Sequence, residues 1–189
     1  MVFDPITVFL ALVFWPKSKG SRAPGPRLAG PGMSVFPVTV EAASFSNDYH
    51  AAAVPGADGV VVARKHLGID IFAPAGTAVL APEAGAVRFT TDPKGGNVFY
   101  LKGASGTSYY GAHMMGAYGL DRVVSAGEQL GWVGNTGNAA TTAAHLHFQM
   151  NGGKTNPYSK LRELSDAHLA RKMLPTSRTV RRGAFGGTT

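Results

Sequence analysis

Four of the six histidines in this 189-residue chain fall within three short motifs. The first is His66-Leu67-Gly68-Ile69-Asp70. Read as a strand, alternate residues share a face, so His66, Gly68 and Asp70 project together while Leu67 and Ile69 point into a core. Gly68 leaves the space between the imidazole and the carboxylate open. The second motif is His145-Leu146-His147, in which both imidazoles share one face and Leu146, Phe148 and Met150 form the buried side. The third is His113, inside YYGAHMMGAYG, at the end of a predicted strand and the start of a loop. Two histidines and one carboxylate make a catalytic zinc set whose fourth position is left for water. Such an ion lowers the pKa of its water to about 7 and polarises a scissile carbonyl. A further histidine beside that water serves as general base or stabilises the charge that develops in the transition state.

Each motif alone has a plainer reading: a hydrogen-bonded surface pair for His66 and Asp70, a loop histidine for His113. Their coincidence in one β-rich region is what points to a metal. The chain has no cysteine, which excludes disulfides and thiolate ligands and leaves His, Asp and Glu as donors. His50 and His168 fit no such spacing and are read as structural or solvent-exposed.

The elements that must position these residues are short strands. With 44% hydrophobic residues, 25 glycines and only 15% charged residues, the composition favours strands and tight turns over a helical bundle. Strands are expected at 59–63, 66–70, 78–80, 86–90, 97–101, 107–110, 129–133 and 145–150, separated by turn signals such as PAGT (74–77) and PEAG (82–85). The expected fold is mainly β, a compact antiparallel sandwich or barrel, flanked by short N- and C-terminal helical segments. A helix is expected over 159–173, with Leu161, Leu164, His168, Leu169 and Met173 at helical spacing, Ser159 as N-cap and Pro175 as its stop. The division is 1–33, an apolar segment with a Pro/Gly-rich basic linker; 34–158, the domain that carries the motifs; and 159–189, a short helix with a basic tail.

These stretches resemble the lysostaphin/LytM family of zinc metalloendopeptidases, which cut peptide cross-links in peptidoglycan. The matching segments are RKHLGIDIFAPAGTAVLAPEAGAV (64–87), SYYGAHMMGAYG (108–119), VVSAGEQLGWVGNTGNAATTAAHLHFQM (123–150) and TNPYSKL (155–161). The resemblance implies a barrel-sandwich of the duplicated hybrid motif type. It makes His66, Asp70 and His147 the ligands of a Zn2+ cofactor, with His145 and His113 as the catalytic pair. Gln149 stands where relatives are often acidic. Residues 45–62 match poorly, and they contain Tyr49, a candidate oxyanion donor. Two other classes compete. One is a non-catalytic wall-binding or scaffold protein with the same fold. The other is a biotinyl or lipoyl carrier, which needs a lysine on a hairpin tip, a setting that Lys65, Lys94 and Lys102 lack.

The net charge of +7 sits on the ends of the chain, and the middle, 34–153, is slightly acidic. A basic tail serves solubility or an anionic polymer equally well, and no specific nucleic acid is expected. Ile6–Trp15 is an apolar run of ten residues, below the roughly 17–25 a membrane span needs, with no basic residue before it as a signal peptide would have. The expected site of action is the bacterial cell wall. Delivery by a phage virion is slightly favoured over export to the envelope, with Ile6–Trp15 docking to virion or envelope proteins; membrane contact is left open.

Overall fold

The structure, a computed structural model, describes residues 32–51, 65–117 and 119–174. Ile6–Trp15, the expected strand at 59–63 and the tail after Leu174 lie outside them. So does any helical segment within 1–31; the helical structure in the described stretch 32–51 is a 3-10 turn at Val40–Ala42. No helix of the described residues is long and apolar enough to cross a membrane.

Nine strands and one α-helix follow in order: β1 (Ser44–Phe45), β2 (Ile69–Phe72), β3 (Ala78–Leu80), β4 (Gly85–Asp92), β5 (Gly96–Gly103), β6 (Ser108–Ala117), β7 (Arg122–Val124), β8 (Gln129–Val133), β9 (His145–Met150) and α1 (Tyr158–Met173). Every pairing is antiparallel. The main path runs β1-β2-β9-β6-β5-β4-β7, and β8 pairs both β6 and β3. Strand β6 changes partner along its length. Tyr109 to Ala112 pair with β9, whereas Met114 to Ala117 pair with β8. The sheet therefore folds over, and Val79, Leu130 and Val133 from β3 and β8 join Ile69, Ile71, Leu146 and Phe148 in one core.

Period-two alternation explains which face of each strand is buried. Leu146 and Phe148 are fully buried on β9, Ile69 and Ile71 on β2, and the residues between them stand on the open face. Strands β3, β8 and β9 have the bounds expected from sequence. Helix α1 starts one residue earlier, with Pro157 and not Ser159 at its N-cap. Only its first half packs: Leu161 is buried and Leu164 lies against the core, while Leu169 and Met173 are exposed. Beyond the core, Glu41 accepts hydrogen bonds from His168 Nε2 (2.8 Å) and Lys172 Nζ (3.2 Å), which tie α1 to the N-terminal segment.

The expected strand over 66–70 needs correction, because β2 begins only at Ile69. The backbone of His66 is engaged elsewhere: His50 N donates to His66 O, and His66 N donates to Ala51 O. Leu67 is consequently 42% exposed and is not part of the core.

Candidate metal centre

The site is built by register. On β2 and β9, Asp70 lies directly opposite His147 and Phe72 opposite His145. Cross-strand partners share a face, so the carboxylate and both imidazoles emerge together above a floor of Ile69, Ile71, Leu146 and Phe148. His66 enters from the segment before β2. Its Nε2 lies 2.8 Å from His147 Nδ1 and 3.1 Å from Asp70 Oδ1, and His147 Nδ1 lies 2.8 Å from the same oxygen.

These three atoms can hold a metal ion. Ligand bonds of about 2.0–2.1 Å around a tetrahedral ion put neighbouring donors roughly 3.3 Å apart, close to the observed triangle. The donor chemistry also fits. Metal-ligating imidazoles must be neutral, with the other ring nitrogen's proton donated away from the ion. His66 Nδ1 donates to Asp48 O at 3.1 Å, with the Asp48 carboxylate 3.4 Å away. His147 Nε2 is 2.8 Å from the side-chain amide of Gln149. It is the amide nitrogen of Gln149 that faces Nε2 here; with His147 Nδ1 on an ion, Nε2 would carry the proton and the Gln149 amide would flip so that its oxygen accepts it.

His113 reaches the site by a backbone device that alternation does not reveal. Ala112 is opposite His147, so regular pleating would turn His113 into the core. Instead β6 carries one extra residue between Gly111 and Met114 relative to β5, and His113 has φ 66°, in the left-handed region. A non-glycine residue in this conformation costs on the order of 1–3 kcal/mol. Two backbone bonds hold it, His113 N to Gly95 O at 2.7 Å and Thr136 N to His113 O at 3.4 Å. The bulge brings the ring centroid to 4.9 Å from His145 and 6.1 Å from His147.

His113 and His145 share one arrangement. His113 Nδ1 donates to Thr136 O (2.9 Å) and His145 Nδ1 to Ala143 O (2.8 Å). Both rings are thereby set with the Nε2 lone pair available, and that of His145 lies 3.9 Å from Asp70 Oδ2. The structure thus brings all five expected site residues together, as a donor triangle flanked by two imidazoles that can accept a proton.

Electrostatics separate these groups. Burial pushes the Asp70 carboxyl up, but hydrogen bonds from His147 and His66 outweigh it and hold the group well below the usual carboxylate range. Burial pulls His66 down, and the Asp70 and Asp48 carboxylates more than restore it, leaving its pKa above the ordinary value. His113 is lowered by burial, reinforced by His145 and His147, which favours its neutral form. Asp48 is raised, chiefly by burial.

Asp48 and the direct contact of Gln149 were missed in the motifs. Asp48 acts on His66 partly through a backbone carbonyl, which has no residue-type signature, whereas the spacing of Gln149, two residues after His147, did place both on one face. Tyr49 does not hold as an oxyanion donor: its hydroxyl donates to Gly153 O at 2.7 Å. The tyrosine beside the site is Tyr110, with its ring 6.3 Å from His147 and its hydroxyl donating to Asp92 Oδ2 at 3.3 Å.

A folded antiparallel sheet with a His/Asp/His donor triangle and two adjacent imidazoles defines a metallopeptidase-like site. Residues 64–157 match Peptidase family M23, and the chain belongs to that family through this domain. It is 37% identical over 99 residues to the DD-carboxypeptidase/endopeptidase Mpg of Neisseria meningitidis, a match covering 51% of this chain and 23% of the relative. The chain thus spans about a quarter of the curated relatives it matches. Among solved structures, the catalytic domain of the antimicrobial peptidase lysostaphin from Staphylococcus simulans superposes with TM-score 0.54 at 26% identity, covering 65% of this chain and 95% of that one. LytU superposes with TM-score 0.54 at 28% identity, covering 67% and 89%.

Proposed function

We propose that this chain is a zinc-dependent endopeptidase that hydrolyses peptide cross-links of bacterial peptidoglycan. The observation that carries the reading is the triangle of His66 Nε2, Asp70 Oδ1 and His147 Nδ1, with sides of 2.8–3.1 Å. Two imidazoles and a carboxylate are a zinc donor set of the catalytic kind. Family membership and the printed activities of the Neisseria relative and of lysostaphin support the peptide substrate.

When bound, the ion supplies Lewis-acid activation of a water and of the scissile carbonyl. The chain's own residues do the rest. Asp48 O accepts from Nδ1 of His66 and so turns its Nε2 lone pair inward, and the Gln149 amide, flipped to present its oxygen, would do the same for Nδ1 of His147. His145 and His113, each with Nδ1 tied to a carbonyl, both present Nε2 to the attacking water; one of them takes its proton and returns it to the leaving amine. The lowered pKa of His113 keeps it ready to accept at neutral pH.

The finer reading is that the protein works from a phage virion, with the apolar run Ile6–Trp15 docked to a virion or envelope partner. Its length suits burial against protein better than a bilayer span. Recovery of the chain from purified particles, and not from envelope fractions, is the expected outcome for that location.

The test of the activity is mass spectrometry of purified peptidoglycan incubated with the protein, with and without a zinc chelator. New peptide termini that vanish with chelator and return with added zinc are expected, and their masses identify the bond. Wall binding without cleavage at saturating zinc would favour a non-catalytic binding protein instead.

A further inference from the structure

We propose that the open-face row Gln149, Tyr110, Tyr100, Arg88 is a substrate subsite, in which Arg88 receives a free carboxylate of the peptide being cut. This rests on the wall-peptidase reading above. The row follows from three registers: Tyr110 is opposite Gln149 across β6 and β9, Tyr100 opposite Tyr110 across β5 and β6, and Arg88 opposite Tyr100 across β4 and β5. Gln149 is two residues from His147 on one strand, so the row stands on the metal-centre face.

Side-chain contacts link the metal centre to Arg88 through the two tyrosines. The Tyr110 ring meets His147 edge-on at 6.3 Å, the Tyr100 and Tyr110 rings are 5.0 Å apart, and the Arg88 guanidinium lies 5.3 Å from the Tyr100 centroid. A hollow of about 240 Å³ opens along Tyr100, Tyr110, Gln149, Ser108 and Gly152. Tyr100 is 41% exposed, and an open tyrosine pair on a sheet face is apolar surface suited to a ligand backbone.

Charge selects the ligand. The neighbouring row is Ser108, Lys102, Ala86, so the two rows hold two cations and no acid. Among the described residues no carboxylate forms an ion pair with Arg88. Asp92, further along β4, is engaged by Lys94 N, Gly95 N and the Tyr110 hydroxyl. A guanidinium lying over a tyrosine ring is positioned by the cation–π attraction, and its fork of donors suits bidentate carboxylate binding. Strand spacings of about 4.8 Å put β4 roughly 14 Å from β9, and an extended peptide advances about 3.4 Å per residue. With the two-residue offset from His147 to Gln149 along β9, the carboxylate sits roughly four to five residues from the bond cut.

The test uses the zinc-loaded full chain and two synthetic wall peptides that differ only in a carboxylate or carboxamide at that position. Wild type should show a KM about tenfold lower for the acid than for the amide, the scale of one charge-assisted contact. Arg88→Gln should erase that preference, with Arg88→Lys restoring part of it, while zinc content and melting temperature stay unchanged. Tyr100→Ala should raise KM for both peptides. Equal KM values on wild type, or an acid preference that survives Arg88→Gln, would overturn the subsite. If wild type cleaves neither peptide, the peptidase reading fails, and calorimetry still decides the subsite. Tighter binding of the acid that is lost in Arg88→Gln supports it, and equal binding overturns it.

Discussion

Gly68→Ala inserts one methyl group at the junction of the two motifs. A Cβ at this position would lie 2.5 Å from Phe148 O, 2.8 Å from His147 Cε1 and 2.9 Å from His147 Nε2. Comfortable contacts need about 3.5 Å, so neighbours must yield by roughly 0.5–1 Å. Phe148 cannot yield cheaply, because it is paired on one side with Ile69 and on the other with Gly111. The strain falls on the His147 ring and on the segment that carries His66. Overpacking of this kind costs about 1–3 kcal/mol of stability. Displacing a ligand by about 1 Å costs on the order of 100-fold in rate. Gly68→Ala should therefore lower the melting temperature, weaken zinc in competition with a chromophoric chelator, and cut peptidoglycan hydrolysis about 100-fold. Gly116→Ala, where an added Cβ meets nothing within 4 Å, is the control and should change none of these. Wild-type zinc affinity and hydrolysis in Gly68→Ala would refute the claim that this glycine makes room for the metal ligand.

Three further outcomes follow from the same geometry. His147→Ala should lose both zinc and activity, whereas His145→Ala should keep zinc by elemental analysis and lose about 100- to 10,000-fold in rate. Gln149→Leu should weaken zinc binding about 10- to 100-fold by chelator competition, and Gln149→Glu, which keeps an acceptor for His147 Nε2, should not. The His66–Asp70 pair makes its own contribution to the pH dependence of the metal-free protein. The folded pKa of His66 is raised, so its contribution is fully present below its unfolded value of about 6.5 and fades as pH rises through the folded value. That of Asp70 is lowered, so its contribution is present above about 3.9 and fades only as pH falls through the folded value. His113, whose folded pKa is lowered, works in the opposite direction, so the His66 contribution is read against a variant: the melting-temperature advantage of metal-free wild type over His66→Asn should be larger at pH 6 than at pH 8.5, and saturating zinc, which takes deprotonated ligands, should restore the stability of wild type at pH 8.5.

The chemistry was legible in the chain because a strand places alternate residues on one face. That rule separates His145 and His147 from Leu146 and Phe148, and sets Asp70 between Ile69 and Ile71. Turn residues bounded β3 and β8. Strands β1 and β7, of two and three residues, are too short to show a period. The same rule misled at His66, whose backbone bonds to residues 50 and 51 take it out of β2. At His113 a single bulge reverses the side chain's direction, which alternation along β6 does not reveal. Tyr49 shows a further limit: a hydroxyl near a site in sequence is already committed to a carbonyl 104 residues away.

The most direct measurement is anomalous diffraction at the zinc absorption edge from crystals of the zinc-loaded protein. The expected result is one peak bonded to His66 Nε2, Asp70 Oδ1 and His147 Nδ1, with Nε2 of His113 and His145 turned toward its open side. A peak held by other residues, or none at saturating zinc, would contradict the account.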